Sequence, residues 1–428
     1  MQGRAGAGQF DFDPPAGPPQ GSVLYDEHLK LVPNSRMADF AGYLMPLWYS
    51  SISSEHAAVR QTAGLFDCTH MGVLEAAGPD AEPFLQAVTT NNVAKLPVGR
   101  AHYSYILDAS GRILDDIIIY RLQPDRFMIV VNAANEPKIK AWFNALLTGQ
   151  TPIDINSDAA IQHRPVIRDM RQTQAAQDCR VDLALQGPAS TEVLAALTPD
   201  SEQLRRISDL KPFRLAPTQV GGIDCIVART GYTGSRDGYE LFVHPDRATE
   251  LWDLLLDSGR SAGLLPCGLG ARDSLRIEAG LPLYGHELDG EFDISPFEAG
   301  YGWAVKLKKD FFIGKAPMEK IAGSYAMHVV RIQLSGARGI RPVRQHDAVL
   351  DDSEHCMGWV LSCAGAGDKQ IALAYVDKDR AAEGNAVGIY YLARRQSQVA
   401  QGRKEQVDKN ETVPADIQGR VVSRFEKF

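Results

Sequence analysis

Apolar and polar residues alternate most clearly between Ala101 and Leu122, AHYSYILDASGRILDDIIIYRL, which predicts a β-hairpin turning at DASG with β-branched residues behind the turn. Side chains two apart share a strand face, so Asp116, Ile118 and Tyr120 point one way and Asp115, Ile117 and Ile119 the other. If the Ile117 and Ile119 face packs into a core, one acid sits in or beside apolar surroundings. Burying a carboxylate costs on the order of several kcal/mol unless it is bonded or paired, so such an acid has a partner or a job. The hairpin alone also allows both acids simply to end a solvated turn.

The same reading gives alternating helices and strands elsewhere. SISSEHAAVRQTAGLFD predicts a helix capped by Ser54, with Ala57, Ala58 and Val59 apolar and a stop at Gly64. A strand at HMGVLEAAG, a helix at PDAEPFLQAVTT, a strand over 126–131 and a helix over 136–147 follow. Residues 162–182 are polar and read as an excursion, after which LALQGPASTEVLAAL restarts a strand and a helix. Helices are predicted over 246–263 and 272–279. From about residue 328 short strands with Gly and Asp turns suggest a β-barrel or jelly roll, and 396–428 reads as a polar, loosely held tail. The elements lack a regular βαβ period, which predicts an α+β fold rather than a doubly wound sheet.

A chain of 428 residues is too long for one compact core and implies two or three domains. Its 44% hydrophobic and 23% charged content is that of a soluble globular protein. A net charge of -8 argues against nucleic-acid binding, which needs a basic stripe against phosphates. Six scattered cysteines form no CxxC pair and have no histidine at ligand spacing, so reduced thiols and no metal are expected. Residues 1–22, rich in Gly, Pro and Gln, lack the apolar core of a signal peptide and read as a disordered leader. No run approaches a membrane span, so a cytoplasmic location is expected.

Chemistry concentrates in three places, the first being the hairpin acids with Tyr103 and Tyr120. The second is RTGYTGSRDGYELF, 229–242, where Gly231, Gly234 and Gly238, with Gly222 upstream, accompany Tyr232 and Glu240. Glycines permit tight turns or close approach, and a strand leading into this loop delivers an acid and an aromatic suited to a flat, nitrogen-rich ring. The third is GLGARDSLRIEAGLPLYGHEL, 268–288. Its GxG has no third glycine and no strand leading in, which discounts a dinucleotide fingerprint. Arg272 there either pairs with Asp273 or Glu278 or offers its planar fork to a carboxylate ligand. His56, His70 and His286 make no metal constellation, and no GxSxG or HExxH pattern appears.

Taken in order, MADFAGYLMPLWY, EHAAVRQTAGLFDCTHMG, TTNNVAKLPVGRAHYSYILDASGRILDDIIIYRL, VVNAAN, LALQGP, GYTGSRDGYELF, GLGARDSLRIEAGLPLYGHEL and ISPFEAGYGWAVK resemble the aminomethyltransferase family, the T-protein of glycine cleavage and its folate-dependent relatives. The likeness runs from about residue 30 to 320, with an echo at GWVLSCAGAGDKQIALAYV. It implies a three-domain architecture around a central folate site: a leader to residue 22, α+β regions over 23–160 and 161–325, and a β-barrel domain over 326–428. Asp116 falls on the family's catalytic aspartate, Glu240 on its pterin-contacting acid and Arg272 on its arginine. Tyr103, Tyr120 and Tyr232 fall on the surrounding aromatics, and Met71 and Asn132 on further pocket-lining positions.

The implied reaction releases ammonia from an aminomethyl group on the lipoyl arm of a carrier protein and passes the carbon to tetrahydrofolate, giving the 5,10-methylene form. Several features depart from the family pattern. The glycine loop carries one extra residue, placing Ser235 and Arg236 where a rim acid is usual; 162–182 lengthens the middle; Leu361 to Gly365 replaces a TSGxxSP stretch; and the tail lacks a tyrosine-bearing end. These bear on donor identity more than on folate binding. A tetrahydrofolate-dependent demethylase of a small methylated amine, sulfonium compound or aryl ether is the rival activity. A non-enzymatic folate-binding protein is a third reading, although its KGCYxGQ motif is absent.

Overall fold

The computed structural model describes residues 9–15, 17–154, 160–336 and 341–426. Two compact units emerge: Met1–Gly231 with Ser235–Ala271 and Ala304–Lys320, and Tyr232–Gly234 with Arg272–Trp303 and Ile321–Phe428.

The first unit is built on two large sheets. A five-stranded antiparallel sheet runs Arg100–Leu107, Ile113–Gln123, Arg126–Val131, Gly72–Ala77, Val166–Asp169. A six-stranded one runs Leu215–Val220, Ile223–Ala228, Gly238–Val243, Val181–Gln186, Ala63–Asp67, Leu264–Cys267, the last pair parallel. Strand alternation decides what each face buries. Leu74, Ile117, Ile119, Phe127 and Ile129 pack under helices Ala81–Val88 and Glu136–Thr148. On the opposite face Val73, Tyr120, Met128 and Val130 meet Leu215, Ala228 and Phe242 of the six-stranded sheet. The outer face of that second sheet, with Leu183, Tyr239 and Leu241, packs on Trp252 and Leu255 of the Pro245–Gly259 helix.

The second unit holds a closed barrel in the order Met327–Leu334, Lys369–Asp377, Cys356–Ala366, Ala348–Leu350, Ala386–Tyr390, Ile417–Val422. The mixed α+β content and the barrel agree with the expected fold class.

Four local expectations change. Ser51, not Ser54, caps the first long helix, because its side chain accepts from the Ser54 backbone N–H and the helix then runs Ile52–Gln61. The 162–182 segment is no simple excursion, since Val166–Asp169 pairs with Leu74–Ala77 as a sheet edge. Nor is the tail loose: Val421 packs inward and Ile417–Val422 seals the barrel by pairing with both Ala386–Tyr390 and Met327–Leu334. Of the leader, residues 1–8 and 16 lie outside the described residues. The remainder is anchored, with Gln20–Gly21 pairing along Tyr43–Leu44 and Phe10 edge-on to Trp142 at 4.8 Å. Among the described residues no helix is long and apolar enough to cross a membrane.

Candidate active site

The Ile113–Gln123 strand places Asp116, Ile118 and Tyr120 on the face that looks toward the second sheet, and Tyr103 stands opposite Ile118 on the neighbouring strand. Tyr103 donates its hydroxyl to Asp116 Oδ2 at 2.9 Å, and Asn132 Nδ2 donates to Asp116 Oδ1 at 2.9 Å. The same Asn132 amide reaches Asp115 Oδ1 at 2.8 Å on the opposite face. Asp115 is fully buried and also accepts from Asn135 Nδ2 at 2.6 Å and the Asn132 backbone N–H at 3.0 Å.

These acids therefore do not end a solvated turn. They stand within the strand, behind a turn that Asp108 organises by accepting from the Ser110 and Arg112 backbone N–H groups. Burial pushes both carboxyls above the usual carboxylate range, and for Asp115 repulsion from Asp116 adds to it. The donors Tyr103 and Asn132 pull Asp116 part of the way back.

Glu240 faces this group from the other sheet, on the Gly238–Val243 strand beside Phe242. Tyr120 crosses between the sheets and donates to Glu240 Oε2 at 2.8 Å, while the Thr230 hydroxyl bonds the same oxygen. Among the described residues Oε1 accepts no hydrogen bond. Burial, then the nearby Glu240 charge, drives the Tyr120 phenol well above its ordinary range, so it stays a donor. Met71, in the turn leading into Gly72–Ala77, lines the same inter-sheet core.

Tyr232 and Arg272 belong to the second unit. The Arg272 guanidinium lies 5.0 Å from the Tyr232 ring centroid, and the Tyr232 hydroxyl donates to the Pro282 carbonyl at 2.5 Å. The expected alternative for Arg272 loses its first partner: Asp273 binds Arg276 at 2.8 Å, and Arg276 also holds the fully buried Glu287 at 2.6 Å.

The glycine loop owes its glycines to a side chain as much as to turning. A Cβ on Gly231 or Gly238 would stand 2.1 or 2.6 Å from Gln186 Oε1, and the Gln186 amide bonds the Thr230 and Tyr239 carbonyls at 3.1 and 3.3 Å. Within 229–242 only Gly234, at φ 76°, needs a glycine for its backbone, as does Gly222 upstream at φ 74°. Sequence reasoning missed Asn135, Thr230 and Gln186 as functional supports. Their signal was present, as the second Asn of VVNAAN, the Thr of RTGYTG and the Gln of LALQGP.

The model of the GCVT N-terminal domain family matches residues 24–309. The chain belongs to the GCVT family. Among curated GCVT relatives, an aminomethyltransferase of Symbiobacterium thermophilum is 41% identical over 87% of this chain and 93% of its own. One of Streptomyces avermitilis is also 41% identical, over 87% and 93%. The crystal structure of the glycine cleavage system aminomethyltransferase T from Bartonella henselae superposes with a TM-score of 0.74 at 29% identity, covering 95% of this chain and 98% of that one. The GCVT assignment agrees with the resemblance read from the motifs and with the folate-dependent transferase class it implied.

Proposed function

We propose that this chain is the aminomethyltransferase of glycine cleavage, moving a one-carbon unit from the aminomethyl-lipoyl arm of a carrier protein to tetrahydrofolate and releasing ammonia. The observation that carries the reading is a pair of carboxylates, Asp116 and Glu240, on facing sheets of one unit, each held by a tyrosine hydroxyl. Tetrahydrofolate is the acceptor substrate. A reduced pterin offers adjacent N–H donors along one edge, and Glu240, with Oε2 tethered and Oε1 open, suits that edge. Asp116 and Tyr120 are four residues apart on one strand, about 13 Å, so a ring seated on Glu240 extends toward Asp116. Tyr103, Tyr120, Ile118 and Met71 supply apolar and aromatic faces for it, and Asn132 fixes the Asp116 carboxylate.

In this assignment Asp116 lies toward N10 of the folate, orients it for attack and stabilises the cationic iminium formed as ammonia departs. Most of the acceleration comes from bringing two large partners together away from water. The test mixes purified protein, tetrahydrofolate and the aminomethylated lipoyl carrier and follows ammonia. Release of ammonia with the 5,10-methylene product supports the reading. No ammonia, with product formed from a free methylated compound, replaces it with the demethylase.

A further inference from the structure

Lys309 is 5% exposed in the first unit, and among the described residues no carboxylate lies within ion-pair range of it. Its ammonium donates to the Thr89 carbonyl at 2.6 Å and the Asn91 carbonyl at 2.9 Å, and it sits 5.3 Å from the Phe312 ring centroid. Burial without a counter-ion lowers its pKa to about 7. A methionine of similar length would avoid that cost, so the ammonium has a use other than packing.

The two carbonyls it grips belong to a segment that completes the hairpin. Arg100–Leu107 is an edge strand of its sheet, and an unpaired edge is free to fray. Residues 89–91 cover that edge: the Thr90 N–H donates to the Tyr105 carbonyl at 3.0 Å, the Tyr105 N–H to Thr90 Oγ1 at 3.1 Å, and Asn91 Nδ2 to the Tyr103 carbonyl at 2.8 Å. The segment around Lys309 holds them from the far side, with the Lys306 N–H on the Thr90 carbonyl at 3.0 Å and Thr90 Oγ1 on the Ala304 carbonyl at 3.1 Å.

We infer that Lys309 is a positioning residue for the transfer reaction: by fixing Thr89 and Asn91 it sets the backbone of Tyr103, and through it the hydroxyl that donates to Asp116. This rests on the role given to Asp116 above. The path contains no substrate contact by Lys309, so its effect falls on turnover rather than on folate affinity.

The experiment compares Lys309→Met, Asn91→Ala, Tyr103→Phe and the Lys309→Met/Tyr103→Phe double variant, with Asp116→Asn as control, measuring kcat, tetrahydrofolate Kd and Tm. Lys309→Met is expected to lower kcat about tenfold, leave Kd within about twofold and keep or raise Tm; the double variant loses less than the product of the singles, because both act on one hydroxyl. Asn91→Ala lowers kcat the same way. Unchanged kcat in Lys309→Met, or kcat and Tm falling together with losses that multiply in the double variant, overturns the inference. If Lys309→Met does not fold, the same cycle run with Asn91→Ala decides, and multiplicative losses there overturn it. Full activity in Asp116→Asn would instead remove the reading beneath it.

Discussion

Replacing Asp116 by asparagine removes one charge from a crowded pair. Asn132 Nδ2 lies 2.8 Å from Asp115 Oδ1 and 2.9 Å from Asp116 Oδ1, so those oxygens are at most about 5.7 Å apart. At an effective dielectric constant near 20, two full charges at that distance repel by about 3 kcal/mol. An asparagine can still accept one of the two bonds but turns its amide toward a donor, a loss of about 1 kcal/mol. Asp116→Asn should therefore be more stable than the wild type at pH 8 by up to about 2 kcal/mol.

The pH dependence has a definite sign. Both carboxyls have raised pKa values in the folded protein, so the native state keeps a proton that the unfolded chain releases above about pH 4. Wild-type stability consequently falls as pH rises from about 4 through the raised native values, and the variant falls less steeply. Urea titrations at pH 5 and pH 8 measure both quantities. Turnover should drop by about 10² to 10³, with tetrahydrofolate affinity nearly kept. A variant destabilised at pH 8, or equal losses in turnover and affinity, refutes the reasoning.

Glu240→Gln should weaken tetrahydrofolate binding by about ten- to a hundredfold in equilibrium titration, since a charge-assisted pair becomes a neutral one, with a smaller effect on turnover of the bound complex. Arg276→Met leaves Glu287 buried and unpaired and should cost about 3 to 5 kcal/mol in denaturant unfolding at pH 7. The Glu287 carboxyl is held below its usual range: burial raises it, but the Arg276 charge and the hydrogen bonds from Ser362 and the Leu283 N–H together outweigh burial; the loss should shrink as pH falls toward that lowered value. Gly231→Ala drives a methyl into the Gln186 amide and should destabilise by about 1 to 3 kcal/mol, with part of the loss recovered by adding Gln186→Ala.

Strand periodicity was the most readable feature. The two-residue repeat placed Asp116 with Tyr120 and Asp115 with Ile117, and both assignments hold because each face of that strand is committed to a different core. It could not show that the acids share one amide, since Asn132 and Asn135 arrive from sixteen or more residues away. The bond between Tyr120 and Glu240 spans 120 residues and depends on how the sheets stack. Motif resemblance assigned both residues to one site, but not the bond between them. The tail misled for a compositional reason: its apolar residues, such as Val399, Val407, Val413 and Ile417, are scattered singly through polar text, and IQGRVV is too short a run to announce a strand.

The strand that seals the barrel leaves the ribosome some eighty residues after its partner Met327–Leu334. Until Ile417–Val422 appears, that partner waits with one edge open to any passing chain. Termination before Ile417 would therefore leave an unsealed cylinder rather than a trimmed enzyme.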